Sequence, residues 1–201
     1  MEALVPIMFA SVAGMGHAFE PDHLLAVGNM VSRRDSTALA LRDGLYWGLG
    51  HTTMLVLVGS VIILSRATFL TSGYFEAAVG VLLIAMGLSR LAKWNKPVQV
   101  RPSRYQHSFA YTVGLLHGLA GSGALVLLVM SEIRRPLPSI LYILVFGVGS
   151  ILGMFVVAGL CSIPFTRRMK INRALKFTSI LLSSGLCVGY GTWMIYENVS
   201  W

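Results

Sequence analysis

Charge is scarce in this chain. Only 12% of its 201 residues are Asp, Glu, Lys or Arg, about half the share of an ordinary soluble domain. That leaves too little polar surface for a water-exposed globule. Cysteine is scarcer still: Cys161 and Cys187 are the whole complement. Two thiols far apart in sequence make neither a disulfide framework nor a paired-thiolate metal motif, and both fall in apolar runs where cysteine serves as a small core residue. Sustained apolar/polar alternation is absent, which excludes a transmembrane β-barrel. The chain has no Gly-x4-Gly-Lys-Ser/Thr loop and no His-Glu-x-x-His helix, so it carries no phosphate cradle of that kind and no zinc-protease motif. A basic region before the first apolar run is missing as well. That run is therefore expected to be retained as a span and not cleaved as a signal peptide.

What the chain has is apolar length. Hydrophobic residues make up 55% of it, and the mean hydropathy is +0.72. Runs of about twenty apolar residues recur from end to end, which predicts an all-α polytopic membrane protein. Six spans are expected, near Leu4–Met30, Gly44–Leu64, Tyr74–Ala92, Ser108–Met130, Ser139–Ile163 and Leu175–Tyr196.

The net charge of +8 sits between the spans. Arg33, Arg34 and Arg42 lie after the first span, and Arg90, Lys93, Lys96, Arg101 and Arg104 follow the third. Arg167, Arg168, Lys170, Arg173 and Lys176 follow the fifth. These thirteen fall on one side of the membrane, against Arg66, Arg134 and Arg135 on the other. The positive-inside rule puts the thirteen in the cytoplasm and both termini outside. The basic excess thus reads as an orientation signal facing membrane lipid, and nucleic acid is not an expected partner.

Residues 94–107 form a basic cytoplasmic linker with Pro97 and Pro102, dividing one transmembrane domain, 1–201, into halves 1–93 and 108–201. The halves echo each other. Gly14-Met15-Gly16-His17 aligns with Gly114-Leu115-Leu116-His117 at an offset of 100, and Gly48-Leu49-Gly50-His51 with Gly147-Val148-Gly149-Ser150 at an offset of 99. Three spans per half turn the second half over. The expectation is two inverted three-helix repeats with a substrate site at their interface.

Within the first span lies His17-Ala18-Phe19-Glu20-Pro21-Asp22-His23. Ionisable groups are costly in hydrocarbon, so such a cluster is a functional-site hypothesis. On one continuous helix, Asp22 and His23 would stand ~140° and ~240° around the axis from His17. Pro21 resolves this, since it cannot donate to the carbonyl of residue 17 and disfavours helix at Glu20. The span is predicted to break near Ala18–Glu20, with Pro21 opening a second half-helix whose first turn holds Asp22 and His23. Carbonyls freed near His17 would add oxygen ligands.

The candidate metal ligands are therefore His17, Asp22, His23 and, on the second span, His51. Glu20 has three readings: a helix cap, a charge that neutralises the ion, or part of the entry path. Thr52 beside His51, and His117 and Ser122 in the Gly-rich run of the fourth span, are further pathway candidates. The same small residues also suit close helix packing, and an isolated histidine also serves as helix glue. His107 reads as an interfacial residue. Imidazole with carboxylate and no thiolate suits Ni²⁺, Co²⁺ or Zn²⁺.

His17-x4-Asp22-His23 resembles the His-x4-Asp-His signature of nickel/cobalt transporters. The longer string His17 to Val27, together with Trp47-Gly48-Leu49-Gly50-His51-Thr52 and His117-Gly118-Leu119-Ala120-Gly121-Ser122, is similar to the urease-accessory, UreH-type membrane proteins of that group. The resemblance implies transport of nickel, or cobalt, across the cytoplasmic membrane to supply a nickel enzyme such as urease. It also implies metal binding by His17, Asp22 and His23 with His51 contributing. The metal would be cargo with no resident cofactor, and a urease or metallochaperone would be the cytoplasmic partner. Six spans depart from the eight of the classical permeases. Absence of a long histidine-rich loop points to uptake, with efflux as the alternative direction. An intramembrane metalloenzyme is the rival class, but five histidines are few for a di-iron cluster, and the chain is not expected to be an enzyme. A non-transporting partner that docks a metallochaperone is the third reading.

Overall fold

The computed structural model describes residues 4–34, 36–65, 73–93, 104–133, 135–165 and 173–199, with side chains left undescribed at 4–7, 104, 106, 121–132 and 173–176. Every regular element among the described residues is helical: α1 (Leu4–His17), α2 (Pro21–Val31), α3 (Thr37–Ser65), α4 (Gly73–Ala92), α5 (Arg104–Glu132), α6 (Pro136–Ser162, extended by a 3₁₀ turn Ile163–Phe165) and α7 (Arg173–Val199).

Among the described residues, four helical stretches are long and apolar enough to cross a bilayer by themselves: Thr37–Ser65, Gly73–Ala92, Pro136–Phe165 and Phe177–Val199. Six were expected. The first expected span is two helices of 14 and 11 residues, each too short to cross alone. The fourth, α5, has the length at 29 residues, and its second half, 121–132, lies outside the residues whose side chains are described. Large apolar side chains such as Val12, Leu57, Leu64, Val81, Leu182 and Leu186 are exposed around the outside. A water-soluble monomer does not expose so much apolar surface, and this is a polytopic helical membrane protein.

Two boundaries differ from expectation. The α3 helix begins at Thr37, seven residues before the predicted start, because the charged Arg42 and Asp43 in its first turns are accommodated in helix instead of loop. The α5 helix begins at Arg104, so the last four residues of the predicted linker are helical; positions 94–103 lie outside the described residues.

The α3 helix is the central element, lying against α5 on one side and α6 on the other, while α1 lies on α6 and α4 pairs with α7. Short α2 reaches α3, α4, α6 and α7. Glycine allows this proximity, because a Cβ on Gly14 would overlap the Phe146 carbonyl of α6 and one on Gly114 would overlap the Trp47 carbonyl of α3. Small residues at such crossings let backbones touch, which drives helix association where water gives no hydrophobic push. The core under these crossings has two parts. One gathers Ala18, Ala26, Val27, Trp47, Val113 and Met154; the other gathers Ala10, Leu55, Ile62, Ile143 and Phe146.

Candidate metal centre

The break in the first span determines the site. The α1 helix ends at His17 and α2 starts with Pro21 as its first residue, with Glu20 at the cap position in extended backbone, φ −61° and ψ 147°. Proline is tolerated there because its missing N–H has no helical partner to lose. The turn consumes the carbonyls that were expected to face the ion: Phe19 N donates to Gly16 O at 2.9 Å and Glu20 N to His17 O at 3.1 Å. These contacts satisfy backbone groups that hydrocarbon could not, and side chains must supply the ligands.

Reversing direction at this turn brings His17 and His23 together, with ring centroids 4.5 Å apart. His51 of α3 stands 5.1 Å from each, and His117 of α5 is 5.5 Å from His23. Four of the five histidines thus converge from four helices. His23, His51 and His117 are buried and His17 nearly so. One ring nitrogen from each of His17, His23 and His51 falls within a 4.8 Å group. Imidazole nitrogens on one ion stand about 3.3 Å apart at metal–nitrogen distances near 2.0–2.1 Å, so closure takes roughly an ångström of side-chain movement per pair.

In three of the four histidines the other ring nitrogen is already engaged. His17 Nδ1 lies 2.8 Å from Glu20 Oε1, His23 Nδ1 lies 2.9 Å from Asp22 Oδ1, and His117 Nδ1 lies 3.0 Å from the Val113 carbonyl. Each oxygen can only accept, so each holds its imidazole in the Nδ1–H tautomer and turns an Nε2 lone pair loose. The Nε2 atoms of His17, His23 and His117 are buried without a partner, as are both ring nitrogens of His51. Buried polar atoms normally find a partner. Four imidazoles with open lone pairs in one place fit a borderline divalent cation, and the carboxylate or carbonyl behind His17, His23 and His117 is the usual support of a metal-bound histidine.

Asp22 and Glu20 therefore stand behind the imidazoles here, although Asp22, Glu20 and His23 also form a second group with metal-ligand spacing. Glu20 does not cap α2 with its side chain. Thr52 is engaged elsewhere, its Oγ1 donating to the Gly147 carbonyl of α6 at 3.0 Å. The Ser122 side chain lies outside the described residues. Cys187 is buried and Cys161 half-buried, both as free thiols.

Two aromatic residues that were not among the site candidates flank the cluster. Trp47 is fully buried, with its ring 5.2 Å from His23 and 5.6 Å from His117. Phe146 is 5.4 Å from His17. Trp47 opens the motif that resembles the urease-accessory group and lies one turn before His51, and Phe146 lies one turn before the aligned Ser150.

The sequence is 36% identical over 182 residues to the urease accessory protein UreH of Bacillus sp. (strain TB-90), covering 81% of this chain and 80% of that one. No protein-family model and no solved structure matches it. At that identity, over four-fifths of both chains, this protein belongs to the family of the urease accessory protein UreH.

Proposed function

We propose that this protein is a secondary transporter that carries Ni²⁺, or Co²⁺, across the cytoplasmic membrane in the uptake direction and supplies a nickel enzyme such as urease. The observation that carries the reading is the convergence of four buried imidazoles, three of them with Nδ1 held and Nε2 open. An all-imidazole donor set suits late first-row divalent ions over Mg²⁺, Ca²⁺ or Cu⁺. His17, His23 and His51 are the ligands, His117 is the fourth donor, and Asp22 and Glu20 orient and balance charge. The urease-accessory relative supports nickel as the cargo.

Alternation is supplied by an inverted repeat. Reciprocal crossings support it: Gly14 meets Phe146 and Ser150, while Gly114 meets Trp47 and His51. Gly48 likewise meets Ile151, and Gly147 meets Thr52. Adding 100 in α1 and 99 in α3 turns each crossing into its counterpart. On this reading Trp47 and Phe146 are equivalent residues that close the two sides of the site, Trp47 toward the cytoplasm and Phe146 toward the outside. The thirteen-to-three distribution of basic residues supports both termini outside. No substrate bond is broken, and the protein is not an enzyme.

The test is radioactive nickel accumulation by cells expressing wild type or His17→Ala, His23→Ala or His51→Ala at matched levels. Each substitution is expected to reduce accumulation at least tenfold. Wild-type accumulation by all three would overturn the assignment, and faster loss of preloaded nickel from wild-type cells would turn uptake into efflux.

A further inference from the structure

About two helical turns from the histidine cluster lies a second polar group that the transport reading above does not use. On α3, Asp43, Trp47 and His51 follow at four-residue steps along one face, placing Asp43 ~12 Å from His51 along the axis. Asp43 is 1% exposed. Arg34, from the segment after α2, grips both of its oxygens, Nε on Oδ2 at 2.5 Å and Nη2 on Oδ1 at 2.6 Å. His107 of α5 brings Nδ1 to 3.1 Å from the same Oδ1, its ring stacked on Tyr46 at 4.9 Å. Beside them is a cavity of about 160 Å³ lined by Met30, Arg33, Arg34, Asp43 and Phe109. That volume holds roughly five waters at ~30 Å³ each, enough for a partly hydrated ion.

We propose that Asp43 and His107 form a second station for the divalent cation, on the cytoplasmic side of Trp47, and that Arg34 is its lock. The proposal rests on the transport reading and adds the exit step. A carboxylate and an imidazole beside a cavity of this size are ligands for the same class of ion as the histidine cluster. A guanidinium fork holds the carboxylate through two bonds and excludes a cation while it stays there. A buried ion pair is a weak stabiliser compared with apolar packing, and a buried ionisable group on a helix long and apolar enough to span is a functional-site hypothesis by default. The surrounding contacts anchor the lock's base: Arg33 donates to Ser89 Oγ at 2.7 Å, and Arg90 donates to Ser32 Oγ and O at 2.8 and 3.1 Å. The end of α2, which carries His23, is thereby tied to α4. Release of Asp43 by Arg34 opens the carboxylate to an ion arriving past Trp47.

The test uses the full chain with Ni²⁺ as the probe. The doubly neutral variant Arg34→Gln/Asp43→Asn leaves neither member of this pair as a buried charge without its partner. It is expected to bind one Ni²⁺ per chain with affinity within threefold of wild type, yet to lose at least tenfold in nickel flux into liposomes. Arg34→Gln alone is expected to retain two Ni²⁺ per chain after gel filtration, against one for wild type. Wild-type flux in the double variant would overturn the proposal, as would a single retained ion in well-folded Arg34→Gln. Should Arg34→Gln not fold, the flux of the double variant decides. His51→Ala separates the two readings: if it abolishes flux while the double variant transports normally, only the lock is wrong.

Discussion

Asp22→Asn tests how the carboxylate beside the histidines works. Asp22 Oδ1 lies 2.9 Å from His23 Nδ1, and the ring carries Nε2 on its far side. An ion on that Nε2 stands about 7 Å from the carboxylate, and at an effective dielectric constant near 20 the attraction between charges of −1 and +2 is ~5 kcal/mol. That is a ceiling, because asparagine keeps an acceptor for the Nδ1–H and because the Asp22 side chain is 17% exposed. Losing a supporting group behind a metal-bound histidine costs 10–100-fold in affinity, about 1.4–2.7 kcal/mol. Asp22→Asn is therefore expected to weaken nickel binding by that factor, measured by competition with a chromogenic chelator in detergent. The nitrogen count in X-ray absorption is expected to stay unchanged. Wild-type affinity would refute the supporting role, and loss of one oxygen ligand from the spectrum would make Asp22 a direct ligand.

Two further expectations concern the scaffold. Gly50→Ala pushes a methyl into the Tyr111 carbonyl and is expected to lower stability by about 1–3 kcal/mol, whereas Gly185→Ala meets nothing within 4 Å and is expected to gain ~0.5–1 kcal/mol. Thermal melts in detergent read both, and equal signs would contradict the crossing geometry. In a background with Cys161 and Cys187 replaced by alanine, a cysteine at exposed Leu137 is expected to react with an impermeant maleimide outside intact cells, and one at Thr37 is not. The opposite pattern would reverse the orientation.

The helices were legible because hydrocarbon imposes length and apolarity, and Pro21 announced the break because its ring cannot fit mid-helix. His17, His23 and His51 were legible as chemistry in apolar surroundings, and the glycine-marked alignment also flagged His117. The sequence could not say what each imidazole leans on. Asp22 read as a ligand candidate and Glu20 as a cap, a neutralising charge or part of the entry path, and the turn sets a carboxylate oxygen of each beside an Nδ1. His107 read as interfacial because its partner, Asp43, is 64 residues away and joined only by packing of α3 on α5. Trp47 was quoted only as part of a motif and Phe146 not at all, since nothing local distinguishes a ring beside a cation site from one in a core. The hydrogen bond from Thr52, adjacent to His51, to a carbonyl of α6 was equally illegible, because it joins residues 95 positions apart.

The central claim is that this chain alone moves a divalent cation through four imidazoles. The direct measurement is nickel flux into liposomes containing only the purified protein, followed with an enclosed metal-sensitive dye. Wild type is expected to give saturable flux that falls to the level of empty liposomes in His51→Ala. Wild-type flux equal to that of empty liposomes, in protein that binds nickel and is monodisperse, would contradict the account and leave a metal-binding partner that does not transport.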